Sequence, residues 1–364
     1  MSDADAVVLD EPRHLRRASL PLPSIGEDDA LLEIEACGLC GTDHELFTGA
    51  IAPGFAFVPG HEAVGRISEI GPRASERWGV QAGDRVAVEC FQSCRECPAC
   101  VAGEYRRCRS HGLADMYGMI NVARAPGLWG GCATHQYLGP DSMLLPIPED
   151  LAPEVAVAFN PIGAGIRWGA TVPGTREGAV VAVLGCGIRG LAAAAAAKDA
   201  GAAFVMVTGA GPRDHPRLEL AARFGADLAV DVLAEDPVAG LRATVGAGAD
   251  VVVDVTARAP EAFAQGVALA ASGAVMVVAG TRGGGGVPGF DPDHLVYKEL
   301  RIEGALGVDV VAYRSAIDLL ASGRYPFADL PRETVGLNDA QALLETMAGE
   351  RGTPPVHAVV DPRR

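Results

Sequence analysis

Ala179-Val-Val-Ala-Val-Leu-Gly-Cys-Gly-Ile-Arg-Gly-Leu-Ala-Ala-Ala-Ala-Ala-Ala-Lys-Asp-Ala200 is the stretch on which the fold turns. Six β-type apolar residues run into a glycine turn, and an alanine-rich helical stretch follows at once. Gly185, Gly187 and Gly190 keep the G-x-G-x-x-G spacing, which carries weight only when a strand precedes it and a helix follows. Glycine permits the tight turn and lets a pyrophosphate approach the helix N-terminus, whose free amides and dipole favour an anion. The reading is a dinucleotide turn of Gly185, Gly187, Ile188, Arg189 and Gly190. Cys186 is then a small turn residue and not a nucleophile.

Outward from this turn, Phe204–Val207, Val251–Asp254 and Val275–Val278 repeat the short apolar texture, separated by helical stretches at Arg217–Phe224 and Glu261–Ala271. Strands alternating with helices imply βαβ units and a parallel sheet. Arg301–Gly304 reads as a last strand of that sheet. Upstream, Leu31–Ala36, Ala63–Ile70 and Arg85–Val88 are short runs punctuated by Gly and Pro, the texture of an antiparallel, barrel-like domain. Val356–Val360 is strand-like again and is expected to return to it. The fold expected is α/β: a doubly wound Rossmann sheet at about 151–299, inserted in a β-rich, partly open barrel built from about 1–150 and 300–364.

The chain has 364 residues, with 30 Lys+Arg against 46 Asp+Glu and a formal charge of −16. This length suits two domains. The acidic balance argues against nucleic acid or an anionic membrane as partner, since both select for basic patches. The first fifteen residues carry Asp3, Asp5, Asp10 and Glu11, the wrong charge for a secretory signal. The apolar run at Ala179–Ala197 is broken by glycines and Arg189, so it does not read as a membrane helix. The expectation is a soluble, cytoplasmic protein.

Nine cysteines are unevenly placed. Cys94, Cys97, Cys100 and Cys108 put four thiols within fifteen residues, in a loop with no core of its own. In an acidic chain without a secretory signal, metal ligation is a better reading than a disulfide framework. Four sulfurs close a tetrahedral zinc site with no position left for water, so the site is structural. A second constellation is dispersed. Cys40-Gly41-Thr42-Asp43-His44 lies about twenty residues before Gly60-His61-Glu62, and thiolate, imidazole and carboxylate together suit a zinc with an open position. Cys37 is read as a buried packing residue.

These motifs occur in a specific order: Cys37-Gly-Leu-Cys-Gly-Thr-Asp43, Pro59-Gly-His-Glu62, Gly83-Asp-Arg-Val86, the four-cysteine loop, Gly130-Gly131, Leu145-Pro-Ile-Pro148 and the glycine fingerprint. Together they resemble the zinc-containing alcohol/polyol dehydrogenases of the medium-chain dehydrogenase/reductase superfamily, over nearly the whole chain. The resemblance implies a GroES-like catalytic domain and reversible hydride transfer between an alcohol and NAD(P). It implies one catalytic and one structural zinc, and assembly as a homodimer or homotetramer.

Carried over by position, the resemblance makes Cys40 and His61 ligands of the catalytic zinc. Glu62 becomes a ligand or exchanging carboxylate, Thr42 a partner of the substrate oxygen, and Asp43 the group orienting His61. Two positions depart from the pattern. Where the family usually carries a third acidic or thiol ligand, this chain has Asn160, a poor zinc ligand. Either Glu62 takes that place or Asn160 acts through water, and Glu62 is the better option because it supplies charge. The proton-relaying histidine is replaced by Glu45, one position after His44, which leaves His44 a possible neighbour of the cofactor ribose.

The second strand of the parallel sheet ends Val207-Thr208-Gly209, without the acid that would accept from a ribose 2′-OH. The loop that follows carries Arg213, His215 and Arg217, so NADP is favoured over NAD; Asp214 would restore NAD if it folded inward. The resemblance leans towards a secondary alcohol or polyol as substrate. A zinc-free enoyl or quinone reductase, a cofactor-binding protein without dehydrogenase activity, and a zinc-stabilised interaction module are the competing readings. The first leaves Cys40, His61 and Glu62 unexplained, and the last leaves the glycine turn unexplained.

Overall fold

The computed structural model describes residues 3–287 and 289–364, which divide into two compact units. The first comprises residues up to Phe159, then Leu320–Ser322 and Phe327–Arg364; the second comprises Asn160–Leu319 and Gly323–Pro326.

The first unit opens with an antiparallel hairpin, β1 (Asp3–Glu11) and β2 (His14–Pro21). Ala4, Ala6 and Val8 are buried while Asp3 and Asp5 are exposed. The acids that look like mere charge in the sequence are thus the outer half of an alternating strand. β3 (Ala30–Leu39), β4 (Glu62–Ile70), β5 (Arg85–Val88), β6 (His135–Leu138) and β7 (Leu144–Pro146) follow. β3, β4, β5 and β7 pair antiparallel in that order, and β6 pairs with β3. Leu32, Ile34, Val64, Ile67 and Val86 are buried along these strands.

The second unit is a six-stranded parallel sheet: β8 (Val180–Leu184), β9 (Phe204–Gly209), β10 (Leu228–Asp231), β11 (Ala249–Asp254), β12 (Ala270–Val278) and β13 (Arg301–Gly304). Its order is β10-β9-β8-β11-β12-β13, the dinucleotide-binding arrangement. The order reverses between β8 and β11, and ligands of such sheets bind beyond the carboxyl ends of the strands at that reversal. The alanine-rich helix Ile188–Asp199 follows β8, with Ala192–Ala197 buried. Lys298, to which the sequence assigns no chemistry, donates to the carbonyls of Val267, Ala268 and Ala270. It thereby caps the C-terminus of the helix Pro260–Leu269.

The expected return to the first domain at residue 300 needs correction. β13 pairs in parallel with β12, and the second unit continues to Leu319. The chain then supplies β14 (Arg332–Val335) and β15 (His357–Val360) to the first sheet, β15 lying antiparallel on β3. Among the described residues, no helix is long and apolar enough to cross a membrane.

Candidate active site: two metal-ligand clusters and a dinucleotide turn

Cys94, Cys97, Cys100 and Cys108 converge, their sulfurs within 4.8 Å of one another. Cys94 and Cys100 stand 3.8 Å apart, too far for a disulfide. Four sulfurs at the usual zinc distance from one centre would be separated by about 3.8 Å. Backbone N–H groups are aimed at them, as from Cys97 to the Cys94 Sγ at 3.4 Å. Such donors hold the Cys94 and Cys97 thiols below their ordinary pKa, from the N–H groups of Cys97 and of Arg109 first. They do the same for Cys108 against its burial, while burial pushes Cys100 up to about 11. Arg95, at φ 60°, fastens the loop by donating to the Pro140 and Ser142 carbonyls and to Asp141. His111 adds a second tie, bridging Asp115 at 2.9 Å and Asp141 at 2.7 Å.

The second cluster is built by the β3–β4 pairing. Cys40 leaves β3 and caps the helix Gly41–Phe47: its Sγ accepts from the Thr42 N–H at 3.3 Å, and its own N–H donates to Asp43 Oδ2 at 2.9 Å. His61 and Glu62 lie at the start of β4, with Glu62 in register opposite Gly38. There Cys40 Sγ is 3.3 Å from His61 Nε2, and Glu62 Oε1 is 4.0 Å from the same nitrogen. All three are buried. A Cβ on Gly38 would fall 2.4 Å from Glu62 Oε2, so only glycine leaves room for that carboxylate.

His61 Nδ1 faces Asp43 Oδ1 at 3.3 Å. A carboxylate there favours the proton on Nδ1 and leaves the Nε2 lone pair for a metal, the arrangement of carboxylate–histidine–metal sites. Burial opposes a proton on His61, yet Asp43 and Cys40 together hold its pKa well above the ordinary value. Burial likewise pushes Asp43 up, but His61 wins and holds it below normal. The groups around His61 therefore favour positive charge at this point, which a divalent cation would supply. Sulfur, imidazole and carboxylate in reach of one point fit zinc. Cys37 is fully buried, its thiol pushed up by Cys132 and by burial, as suits a packing residue.

In the second unit, Gly185 adopts φ +105°, and a Cβ on Gly190 would lie 1.9 Å from the Gly185 carbonyl. Gly185 N–H donates to the Thr208 carbonyl at 3.1 Å, which sets the turn beside the end of β9. Thr208 and Gly209 are buried, and Arg213 is exposed. Asp214 folds back to accept from the Ala210 N–H at 2.9 Å and pairs with Arg217 at 3.0 Å. Asp231, at the end of β10, accepts from Gly211 N–H and pairs with His215 at 2.8 Å. Those contacts, the Gly211 N–H first, hold Asp231 down at about 2.

The alcohol dehydrogenase GroES-like domain profile matches residues 26–149, and the zinc-binding dehydrogenase profile matches 190–322. A probable alcohol dehydrogenase of Mycobacterium tuberculosis is 68% identical over 359 residues, covering 98% of each chain. The chain belongs to the zinc-type alcohol dehydrogenases. It is also 28% identical to the sorbitol dehydrogenase of Bacillus subtilis, over 93% of this chain and 92% of that one. A zinc-binding dehydrogenase of Sinorhizobium meliloti, solved with NADP, superposes with a TM-score of 0.83 at 28% identity, covering 100% of both chains.

As a zinc-type alcohol dehydrogenase, the chain is an oxidoreductase, and its departures from the family pattern acquire structural detail. Asn160 is buried in the second unit, where its amide donates to Tyr313 Oη at 2.8 Å and accepts from Arg189 at 3.5 Å. His44 is half-buried, and its charge adds to that of Arg13 in holding Glu350 below its ordinary pKa. The sequence places Asp254 at a strand end but does not reveal its pairing with Arg282. Asp254, fully buried at the end of β11, accepts from Thr256 Oγ1 at 2.6 Å and pairs with Arg282. Arg282 also donates to the Thr256 and Gly280 carbonyls, stapling the carboxyl ends of β11 and β12. The signal was one acid at a strand end and one arginine before a glycine run.

Proposed function

We propose that this dehydrogenase interconverts a secondary alcohol or polyol with its carbonyl compound, the alcohol carbon giving hydride to NADP and the oxygen releasing a proton. Cys40, His61 and Glu62 hold the catalytic zinc in this reading, and Cys94, Cys97, Cys100 and Cys108 hold a structural one. The observation that carries it is the buried convergence of Cys40, His61 and Glu62, with Asp43 behind the imidazole. Zinc there supplies Lewis acidity, lowering the pKa of an alcohol oxygen and polarising a carbonyl in reverse.

The chain's own residues do the rest. Asp43 fixes the imidazole by its tautomer and the cap by its bond to the Cys40 N–H. One thiolate and one carboxylate among the ligands match the charge of a divalent ion. Glu62 completes the set in preference to Asn160, whose amide is engaged by Tyr313 and Arg189. Thr42 is half-buried one residue beyond Gly41 and shares a hydrogen bond with the substrate oxygen. Gly185, Gly187, Ile188, Arg189 and Gly190 receive the pyrophosphate. NADP is favoured because Asp214 and Asp231 are occupied by Arg217 and His215, while Arg213 is exposed. The NADP bound by the Sinorhizobium meliloti relative supports that choice, and the sorbitol dehydrogenase relative supports a polyol. Assembly as a dimer or tetramer accompanies the reading and is checked by sedimentation.

Zinc quantification with a cofactor titration tests it. Two zinc atoms per chain and tighter NADP than NAD are expected. A single zinc, lost on Cys97→Ser and kept on Cys40→Ser, would remove the catalytic assignment.

A further inference from the structure

Glu89 follows β5 and is fully buried, yet the chemistry above does not use it. Its Oε2 accepts from the Tyr105 hydroxyl at 2.6 Å, and Tyr105 lies between Cys100 and Cys108. Its Oε1 accepts from the Phe91 N–H at 3.1 Å and from the Cys90 thiol at 3.5 Å. Cys90 is itself buried. The Cys90 carbonyl accepts from Tyr117 N–H at 2.9 Å. Gly118, next along, packs so closely on the Gly60–His61 backbone that a Cβ there would be 3.2 Å from the His61 Cβ. One carboxylate therefore touches the four-cysteine lobe with one oxygen and the wall leading to His61 with the other. Burial is a costly place for a carboxylate and pushes Glu89 up to about 7, against the pull of Tyr105 and Phe91. An apolar residue would fill the space without that cost but would join nothing.

The geometry points to Glu89 as a positioning residue that couples the two metal clusters, so that the four-cysteine lobe, when loaded, holds the Cys90–Phe91 wall beside Cys40, His61 and Glu62. The inference rests on the two-zinc reading above. Loss of the bridge frees the lobe to open and lets the wall shift. Its signature is in both clusters at once, which a residue that only fills space would not produce.

The test uses the metal-loaded full chain as wild type, Glu89→Leu, Glu89→Gln and Tyr105→Phe. Transfer of zinc to a chromophoric chelator reports the four-cysteine lobe. The visible spectrum after cobalt exchange into the more labile site reports the Cys40 cluster. Glu89→Leu is expected to release the tightly held zinc about tenfold faster and to shift the cobalt bands. Tyr105→Phe, which removes one arm without emptying the space, should move both readouts the same way. Glu89→Gln should restore both, because its amide oxygen can accept from Phe91 while its NH2 donates to Tyr105. A Glu89→Leu or Tyr105→Phe enzyme with two zincs, wild-type release and an unshifted cobalt spectrum would overturn the coupling. A wild-type chain that takes up only one zinc would overturn the two-zinc reading instead.

Discussion

In the two-zinc reading proposed above, the four-cysteine cluster and the Cys40–His61–Glu62 cluster solve one problem, holding a cation, by opposite means. The first takes every ligand from residues 94–108, on a loop fastened at its margin by Arg95 and His111, with three of its four sulfurs half-buried. The second takes its ligands from two paired strands, all buried, and borrows Asp43 from the helix between them. A local site leans on its metal, because beyond the ties of Arg95, His111 and Tyr105 the loop has little to hold it. A site assembled by a sheet is held by the fold, and in the proposed reading that leaves its metal free to do chemistry.

That contrast breaks most readily at Cys97. Cys97→Ser is expected to cost more than about 4 kcal/mol in chemical denaturation while the Cys40 site still takes up cobalt. Equal loss of both metals would erase the distinction. His61→Ala should do the reverse, cutting kcat/KM by about 10³-fold with the melting temperature nearly unchanged; a large fall in melting temperature would make that site structural too. Asp43→Asn sharpens the comparison, because its amide still caps Cys40 while weakening the hold on His61. Zinc affinity at the catalytic site should drop about 10- to 100-fold, with release from the four sulfurs unaltered.

Smaller effects lie further out. Arg213→Ala should weaken NADP by about tenfold and leave NAD within about twofold, as read by cofactor fluorescence titration. Glu89 gives a pH dependence. Its folded pKa of about 7 exceeds the ordinary 4.5, so the folded chain binds the proton more tightly than the unfolded one. Its contribution to stability is full below about 4.5 and is lost as pH rises through about 7. Between about pH 6 and 8.5 the wild type should lose about 1 kcal/mol that Glu89→Gln does not lose, measured by denaturation of the zinc-loaded protein.

How much of this was legible follows from the same contrast. The four cysteines and the glycine turn are local, so spacing alone exposes them, and β5 and β13 match the runs read at Arg85–Val88 and Arg301–Gly304. Cys40 and His61 were visible as residue types that suit zinc, but about twenty residues and a strand pairing separate them, so the resemblance was needed to make that weak signal specific. Gly38 as the seat of the Glu62 carboxylate, the pairing of Asp214 with Arg217 and the Asp254–Arg282 staple were not legible. Each depends on which residue lies opposite in a register or across a turn, and single-chain periodicity does not carry that. The β1–β2 hairpin was missed for a simpler reason: its outward acids drew the eye to charge and hid the buried alanines between them.

β15 has a consequence for how the molecule is made. It lies on β3, Val359 opposite Gly38 and Val360 opposite Cys37, and it is translated after the second unit. The strand that leads into Cys40 waits for this neighbour through the synthesis of the second unit. The nascent chain therefore carries the Cys40 sulfur long before β15 is made to cover that edge.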